Sequence, residues 1–322
     1  MMIYLKLMRF HKPIGIFLLL WPTMWALWIA GNGHPSIKNI IIFVCGVIGM
    51  RAAGCVINDV VDRRWDSEVA RTKLRPLAIQ EISVNNALIL FFGLCMLSFL
   101  LVLQTNAYTI ALSFAALGVA ILYPFTKRFL ACPQLILGIA FSFSVPMAFA
   151  AQTNHVSGKA LLILLITVLW TIAYDTQYAI TDRADDIRIG IKSTAILFGR
   201  YDRLIIAILH LTVLYLFYLL GKENHFSWIY FCSIAGAGIL FLYQHYLLLR
   251  NHSGDAFRAF LNNQWVGLVV FVGILLCFNN ASTVGFLPRN AINKSMGSTA
   301  PPLSKNVFLN NAAVAESKIP FS

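Results

Sequence analysis

Apolar residues along the chain fall into nine runs, each about as long as a segment that crosses a lipid bilayer as a helix. The runs cover residues 14–30, 39–57, 84–103, 107–124, 134–151, 160–179, 204–220, 227–248 and 263–279. Two connections, 59–83 and 180–203, are longer than the others, and long ordered connections often form functional lids. The pattern predicts an all-α, polytopic membrane protein with nine transmembrane helices and a cap.

The apolar pattern stops near residue 280. Residues 281–322 are rich in Asn, Ser, Pro and Ala and show no apolar period. A segment of this kind does not bury enough apolar surface to offset the entropy lost on folding. We therefore predict one intramembrane domain, 1–280, followed by a disordered C-terminal tail, 281–322.

Composition and charge agree with a membrane protein. Hydrophobic residues make up 59% of the chain and charged residues 12%, whereas a soluble domain carries about 25% charged residues. With the N-terminus in the cytoplasm, seventeen Lys and Arg residues lie on that side and three in the opposite short loops. This bias predicts a multi-pass protein with its N-terminus and both long connections in the cytoplasm. It also explains the net charge of +12 without nucleic-acid binding.

Two acidic clusters follow directly after the second and the sixth apolar runs. They read Asn58-Asp59-x-x-Asp62-x-x-x-Asp66 and Asp182-x-x-Asp185-Asp186, and they hold six of the 13 acidic residues of the chain. Carboxylates at a membrane boundary are costly to desolvate and repel one another, so a cation is expected beside them. Four runs separate the clusters, which places both on the same face of the membrane.

Helical spacing gives each cluster a common face. If the second run continues as a helix, Asn58, Asp62 and Asp66 share one side, with Asp59 at its edge, and the second cluster holds an i, i+4 pair. Facing carboxylates of this kind suit Mg²⁺, which usually keeps substrate phosphates in its shell. The predicted metal ligands are Asp59, Asp62, Asp66, Asp182 and Asp186. The alternative is that each acid is an exposed loop residue paired with an arginine neighbour.

Basic and aromatic residues near the clusters are candidates for substrate contacts. Tyr123 and Lys127 lie at i, i+4 at the end of the fourth run, next to Arg128. Lys127 could bind a phosphate, or the three residues could form an interfacial anchor. Tyr178 precedes the second cluster by one helical turn. An aromatic face stabilises a cation, although such a residue is often only packing.

Arg51 differs from the other basic residues because it lies inside an apolar run, seven residues before Asn58. An arginine within a membrane span normally faces a polar cavity. It could bind a carboxylate of the substrate, or it could form a structural ion pair with an acid of the first cluster.

The residues around both clusters resemble the 4-hydroxybenzoate polyprenyltransferase branch of the intramembrane aromatic prenyltransferase family. The first stretch runs Arg51-Ala-Ala-Gly-Cys-Val-Ile-Asn58-Asp59-Val-Val-Asp62-Arg63-Arg-Trp-Asp66. The second runs Tyr174-Asp175-Thr-Gln-Tyr178-Ala-Ile-Thr-Asp182-Arg-Ala-Asp185-Asp186. The motifs Lys12-Pro13-Ile-Gly15 and Tyr123-Pro-Phe-Thr-Lys127-Arg128 are similar to the same branch. The resemblance covers residues 5–280.

The resemblance implies a central cavity, capped on the cytoplasmic side and open to lipid, in which Mg²⁺ holds the diphosphate of a polyprenyl donor. A polyprenyl group would pass to the ring carbon ortho to the hydroxyl of 4-hydroxybenzoate, an early step of ubiquinone biosynthesis. The catalytic residues would be Asp62, Asp182, Lys127 and Tyr123. The substrate-binding residues would be Asn58, Arg51, Arg63, Arg128, Lys192 and Tyr178.

One departure and three rival functions remain. The family usually has Arg-Pro-Leu-Pro-Ser-Gly after the first motif, whereas this chain has Arg75-Pro-Leu-Ala-Ile-Gln80, which predicts loss of a tight turn. The same chemistry with another aromatic acceptor is the nearest rival. A CDP-alcohol phosphotransferase would need Asp-Gly-x-x-Ala-Arg, which the chain lacks. A cation-coupled transporter would place its acids near the middle of the bilayer.

Overall fold

The computed structural model describes residues 2–250 and 252–284 as an all-helical structure, with no strand among them. The helices are α1 (Met2–Leu7), α2 (Ile14–Ala30), α3 (Ile37–Asp66), α4 (Val84–Val102), α5 (Ala107–Thr126), α6 (Pro133–Ser142), α7 (Ser144–Thr153), α8 (Gly158–Ile189), α9 (Thr194–Phe198), α10 (Asp202–Glu223), α11 (Trp228–Arg250) and α12 (Asp255–Val284). Helix α12 continues four residues past the predicted domain boundary. Residues 285–322 of the predicted tail lie outside the described residues.

Eight of the nine predicted apolar runs each correspond to one helix, and the fifth, 134–151, is divided between α6 and α7. Eight helical segments of the described chain are long and apolar enough to cross a membrane. They are α3, α4, α5, α6 together with α7, α8, α9 together with α10, α11, and residues Asp255–Asn279 of α12. The first predicted run corresponds to α2, an apolar helix of 17 residues. The structure is therefore that of a multi-pass membrane protein.

Helices α3 and α8 are longer than a membrane span requires. They contain 30 and 32 residues, so each is about 45 Å long at a rise of 1.5 Å per residue. The hydrocarbon core of a bilayer is about 30 Å thick. The last turns of both helices can therefore stand at or beyond the membrane surface. Both acidic clusters lie on these last turns, so the predicted continuation of the second run as a helix is confirmed.

A ladder of buried side-chain amides fixes α8 against α11 and α12. Trp170 Nε1 donates to Asn263 Oδ1 at 2.9 Å, and Asn263 Nδ2 donates to Gln177 Oε1 at 2.9 Å. Gln177 Nε2 donates in turn to Gln244 Oε1 at 2.9 Å. Each buried polar group has a partner, and a slip of one helix would leave several without one. The ladder therefore sets the register of α8, the helix that carries the second acidic cluster.

The connection from α3 to α4 folds as a series of tight turns over the end of the bundle where both acidic clusters lie. It keeps a turn that the sequence predicts to be lost. Gln80 has φ +58°, the Gln80 amide donates to Leu77 O at 3.3 Å, and the Glu81 amide donates to Pro76 O at 2.8 Å. This pair of bonds is the Schellman arrangement, which usually has glycine at the left-handed position. The prediction was wrong because the backbone bonds hold the turn although glutamine replaces glycine.

We expect Gln80→Gly to stabilise the protein. A left-handed conformation costs a residue with a Cβ about 1–2 kcal/mol, and Gln80 is exposed, so its side chain buries little surface. The expected gain is about 1 kcal/mol, or about 2–4 °C in the melting temperature of the detergent-solubilised protein. Gln80→Ala, which keeps the Cβ, is the control and should melt with the parent. A Gln80→Gly protein that melts at the parent temperature would show that the turn carries no such strain.

Candidate active site

A cavity of about 1510 Å³ lies at the centre of the bundle and is lined by residues of α1 to α8 and α12. Its charged residues gather at the end where α3 and α8 finish, which we call the head. Six acidic side chains line it: Asp59, Asp62, Asp66, Asp175, Asp182 and Asp186. Eight basic side chains line it as well: Lys6, Arg9, Lys12, Arg51, Arg71, Arg75, Lys127 and Lys192. The head is therefore both highly charged and net positive.

Lys127 joins the first acidic cluster to the end of α5. Its Nζ lies 2.8 Å from Asp62 Oδ2 and 2.9 Å from Asn58 Oδ1. The ring centroid of Tyr123, one turn earlier, lies 5.3 Å from the same Nζ. Burial lowers the pKa of Lys127, but the charge of Asp62, the hydrogen bond to Asp62 and the nearby Tyr123 together outweigh burial, and the pKa is raised above its usual value. Lys127 therefore stays cationic beside Asp62.

Two arginines hold the other acids of the first cluster. Arg75 Nη1 lies 3.1 Å from Asp59 Oδ1 and 2.7 Å from Asp66 Oδ2. Arg9, from the turn after α1, forms an ion pair with the same Asp59. Asp59 is only 2% exposed, so both cations compensate a carboxylate that is almost fully buried. The connection after α3 and the N-terminal segment are thereby tied to α3.

Arg71 links the first connection to the second cluster. Its Nε donates to Asp182 Oδ1 at 2.9 Å, and its guanidinium carbon lies 4.5 Å from the ring centroid of Tyr178. Asp186, one turn beyond Asp182, lines the same head. The guanidinium therefore spans the gap between the predicted cap and α8. Asp185 points elsewhere, since its Oδ2 accepts from the Ala70 amide at 3.1 Å and it does not line the cavity.

The cations of the head repel one another. The pKa of Lys12 is lowered, first by partial burial and then by the positive charges of Arg71, Arg9 and Arg75. Neighbouring cations repel one another, and a bound anion stabilises the charged form of each. The head is thus suited to a multiply charged anion, and its carboxylates are suited to a cation bound together with that anion.

Arg51 lies deeper than the other cations of α3 and faces the cavity. Its guanidinium donates to the Cys55 thiol one turn away, and its buried Nε has no hydrogen-bond partner among the described residues. Gly15 of α2 leaves the space for it, because a Cβ at Gly15 would overlap the guanidinium. The sequence leaves two partners open for Arg51: a carboxylate of the substrate, or an acid of the first cluster. Among the described residues, no ion pair joins Arg51 to that cluster. Arg51 lines the cavity, so the charge of its guanidinium faces a ligand bound there.

The structure brings most of the predicted site residues to the head. Asn58, Arg51, Tyr123, Lys127, Tyr178 and Lys192 line it together with the five predicted metal ligands. Arg63 does not line the cavity, and its Nη1 donates to Val60 O at 2.9 Å. Arg128 lies in a separate pocket of about 180 Å³ beside Trp65, with its guanidinium carbon 4.4 Å from a ring centroid of that tryptophan.

Sequence reasoning left five basic residues of the head and one acid out of the predicted site. Arg71 and Arg75 follow the first cluster closely, and this position was the signal that could have found them. Lys6, Arg9 and Lys12 stand before the first apolar run, where basic residues normally act as topology signals. Asp175 precedes Asp182 by two helical turns. That helical spacing already indicated that it faces the same way.

The acids of the head suit a divalent metal only in part. Within residues 2–250 and 252–284, no group of three or more His, Cys, Asp or Glu side chains is arranged to hold a metal ion. The donors are carboxylate oxygens on α3 and α8 and the amide oxygen of Asn58, all lining one head. Mg²⁺ commonly takes one or two protein carboxylates and completes its shell with water and phosphate oxygens. The donor set therefore fits Mg²⁺ bound together with a diphosphate.

Comparison with known sequences assigns the chain to a family. Residues 19–277 match the UbiA prenyltransferase family. The chain is 52% identical over 277 residues to the 4-hydroxybenzoate octaprenyltransferase of Coxiella burnetii (strain RSA 493 / Nine Mile phase I), covering 86% of this chain and 96% of that protein. It is 53% identical over 271 residues to the protein of the same name from Alcanivorax borkumensis, covering 84% and 93% of the two chains.

Solved structures show the same fold. A UbiA homolog from Aeropyrum pernix K1 matches with a TM-score of 0.72 at 24% identity, over 81% of this chain and 97% of that chain. A UbiA homolog from Archaeoglobus fulgidus, solved with DMAPP and Mg²⁺, matches with a TM-score of 0.66 at 15% identity, over 86% and 99%. Together with the family match over most of its length, these likenesses show that the chain belongs to the UbiA prenyltransferase family.

Proposed function

We propose that the protein transfers a polyprenyl group from a polyprenyl diphosphate to 4-hydroxybenzoate, giving 3-polyprenyl-4-hydroxybenzoate for ubiquinone biosynthesis. The observation that carries this proposal is a head of eight cations and six acids at one end of a large, otherwise apolar cavity. The relatives that are about 52% identical over most of the chain carry the name of this reaction. No other aromatic acceptor has comparable support.

The head would bind the donor through its diphosphate. Asp59, Asp62, Asp66, Asp182 and Asp186 would hold Mg²⁺, with Asn58 assisting. The metal would neutralise charge on the leaving diphosphate. Lys127 and Lys192 of the predicted substrate-binding set line the same head, and Arg9, Lys12, Arg71 and Arg75 add further positive charge there. Arg63 and Arg128, which do not line the main cavity, have no direct part in the proposed complex.

The transfer breaks the bond between the allylic carbon of the donor and its diphosphate oxygen. The electron pair leaves with the diphosphate, and the positive charge stays on the allylic carbon. Tyr123 and Tyr178 line the head and offer aromatic faces to that cation. The ring carbon ortho to the hydroxyl then forms the new carbon–carbon bond, and the ring loses its proton. The apolar walls of the cavity keep water from the cation.

Arg51 would bind the carboxylate of the acceptor. Its buried Nε has no partner among the described residues, and a guanidinium binds a carboxylate through two parallel hydrogen bonds. The position of Arg51, two helical turns from Asn58 on α3, would orient the acid so that its ring faces the donor. A carboxylate-binding arginine distinguishes an aromatic acid from a quinol precursor, but it does not separate one aromatic acid from another.

The proposed orientation places the head on the cytoplasmic side of the cell inner membrane. The acidic clusters, the N-terminal segment and the connection after α3 all lie at this end of the bundle, and the basic residues of the sequence are concentrated in the same loops. The positive-inside bias then puts the head in contact with the cytoplasm. Both the water-soluble acid and the diphosphate product could exchange there.

We expect Asp62→Asn and Asp182→Asn to abolish prenyl transfer. Each change removes one negative charge from the head while keeping the size of the side chain, and loss of such an electrostatic contact costs about 100-fold or more in rate. Membranes containing each variant would be assayed with labelled 4-hydroxybenzoate, a polyprenyl diphosphate and Mg²⁺. Asp185→Asn is the matched control, since Asp185 belongs to the same motif but lies outside the cavity. Unimpaired product from both head variants would refute the assignment.

Removal of divalent metal should stop the reaction reversibly. We expect EDTA to abolish transfer by the parent protein and added Mg²⁺ to restore it, because the metal would neutralise the charge that develops on the leaving diphosphate. Binding of the polyprenyl diphosphate, measured by equilibrium dialysis in detergent, should weaken in parallel. Full activity after exhaustive chelation would exclude the metal-bridged complex.

Arg51→Gln should weaken binding of the acid acceptor in particular. Loss of a charge-assisted hydrogen bond costs about 1.5–3 kcal/mol, so KM for 4-hydroxybenzoate should rise about 10- to 100-fold, while KM for the donor changes little. The methyl ester of the acceptor provides the test of the partner, since the parent should prefer the acid and Arg51→Gln should not. Arg64→Gln, an exposed change on the same helix, is the control. An unchanged preference would assign the carboxylate to another residue.

A further inference from the structure

The six acids that line the cavity differ in their partners. Four of them form ion pairs with arginine or lysine: Asp59, Asp62, Asp66 and Asp182. Asp175 and Asp186 form no ion pair with any described residue. Asp186 is one of the acids that would hold Mg²⁺. Within the described part of the chain, Asp175 is therefore the cavity acid that has neither a paired cation nor a proposed metal.

Asp175 lies deeper in the cavity than the acids of the two clusters. It precedes Asp182 by seven residues of α8, which is about 10 Å of helix. Arg51 precedes Asn58 by seven residues of α3, and both helices end at the head. Asp175 and Arg51 both line the cavity, and they are close enough for their charges to interact. The two side chains therefore face a ligand bound at the same depth.

A neutral side chain orients the carboxylate of Asp175. Gln134, at the start of α6, is only 5% exposed, and its Oε1 accepts from the Thr194 amide at 3.0 Å. Because Oε1 is used in this way, Nε2 of the same side chain is left to donate to Asp175. The Thr194 hydroxyl lies in turn 2.7 Å from Thr176 Oγ1. Asp175 is thus held by a neutral donor, whereas the four paired acids are held by cations.

The proposed transfer needs a base for the ring proton. Once the new carbon–carbon bond has formed, the attacked ring carbon carries both the prenyl group and its hydrogen, and the ring is positively charged. The C–H bond then breaks, its electron pair returns to the ring, and the proton passes to a base within hydrogen-bond reach. Arg51 and Lys127 are cations, Gln134 is an amide and Tyr123 is a neutral phenol. Among these neighbours, only the carboxylate of Asp175 is a suitable base.

We propose that Asp175 is the base that accepts the ring proton of the acceptor. This inference rests on the proposed function, because it takes 4-hydroxybenzoate to be bound with its carboxylate on Arg51. An acid bound in this way has its ring at the depth of Asp175. The rival base is the leaving diphosphate, which would be held among the cations of the head, about two helical turns away. The proton leaves Asp175 for water when the product leaves the cavity.

The test compares ordinary 4-hydroxybenzoate with acceptor deuterated at both ring carbons ortho to the hydroxyl, using the purified full-length chain in detergent with Mg²⁺. Asp175→Asn keeps the size of the side chain and removes the base, so transfer should fall about 100-fold or more. Loss of the ring proton then limits the rate, and the deuterated acceptor should react more slowly by a larger ratio than in the parent. Binding of octaprenyl diphosphate, measured without acceptor, should be unchanged. Asp185→Asn, on the same helix and outside the cavity, is the matched control and should behave as the parent in each measurement.

An Asp175→Asn protein with the isotope effect of the parent would overturn the assignment, because the proton would then pass to another base such as the diphosphate. Loss of donor binding by folded Asp175→Asn would place Asp175 with the metal-holding acids and would also overturn it. If Asp175→Asn does not fold, Asp175→Glu decides, since it keeps the charge and moves the carboxylate: a larger isotope effect supports the assignment, and an unchanged one overturns it.

Failure of the proposed function has a different signature. A parent that makes no product from 4-hydroxybenzoate would overturn both the proposed function and the role of Asp175. A parent that makes this product, with an Asp175→Asn protein that keeps the isotope effect of the parent, would overturn only the role of Asp175.

Discussion

Compensation of buried carboxylate charge holds the head of the cavity together. Asp59 and Asp66 are each less than 10% exposed, and both would be costly to keep ionised beside a membrane without a partner. Their partners come from other parts of the chain: Arg9 from the N-terminal segment and Arg75 from the connection after α3. The same requirement attaches Lys127 of the α5 end to Asp62. The segments that close the head are therefore positioned by the charges that the head has to neutralise.

The placement of these charges depends on helix length and on register. Because α3 and α8 are longer than the hydrocarbon core of a bilayer is thick, their last turns can carry carboxylates while residues 40–50 of α3 and 160–173 of α8 hold no charged side chain. The amide ladder through Gln177 and Asn263 keeps α8 from sliding against its neighbours. Without that register, Asp182 would not face Arg71. A buried polar ladder in the membrane thus supports the geometry of a site at its surface.

The cavity is charged at the head and uncharged where 42–50 of α3, 92–102 of α4 and 113–120 of α5 line it. This division matches an amphiphilic donor, whose diphosphate suits the head and whose prenyl chain suits the uncharged part. The charged head also suits a small polar acceptor. Gly46 and Gly54 of α3 border open space of the cavity, and Gly15 of α2 leaves the space that the Arg51 guanidinium fills. These glycines are not at turns, and their helical setting carries a cost in stability of about 1 kcal/mol each. The proposed reaction explains why that cost is retained: each glycine keeps space open for a ligand or for a ligand-binding side chain.

The sequence by itself determined the helices, the two acidic faces and their common end of the bundle, because apolar run length and helical spacing are local properties. It also indicated Lys127 and Arg51, which stand at fixed spacings from their motifs. Only the tertiary structure decided which cations meet which acids. Arg9 is 50 residues from Asp59 and contacts it, whereas Arg63 follows Asp62 directly and points out of the cavity. A helix turns neighbouring side chains about 100° apart, so adjacency in sequence does not give adjacency in the site. Only the packing of several helices joins the uncharged part of the cavity to the head, because no single segment of the chain encloses a cavity.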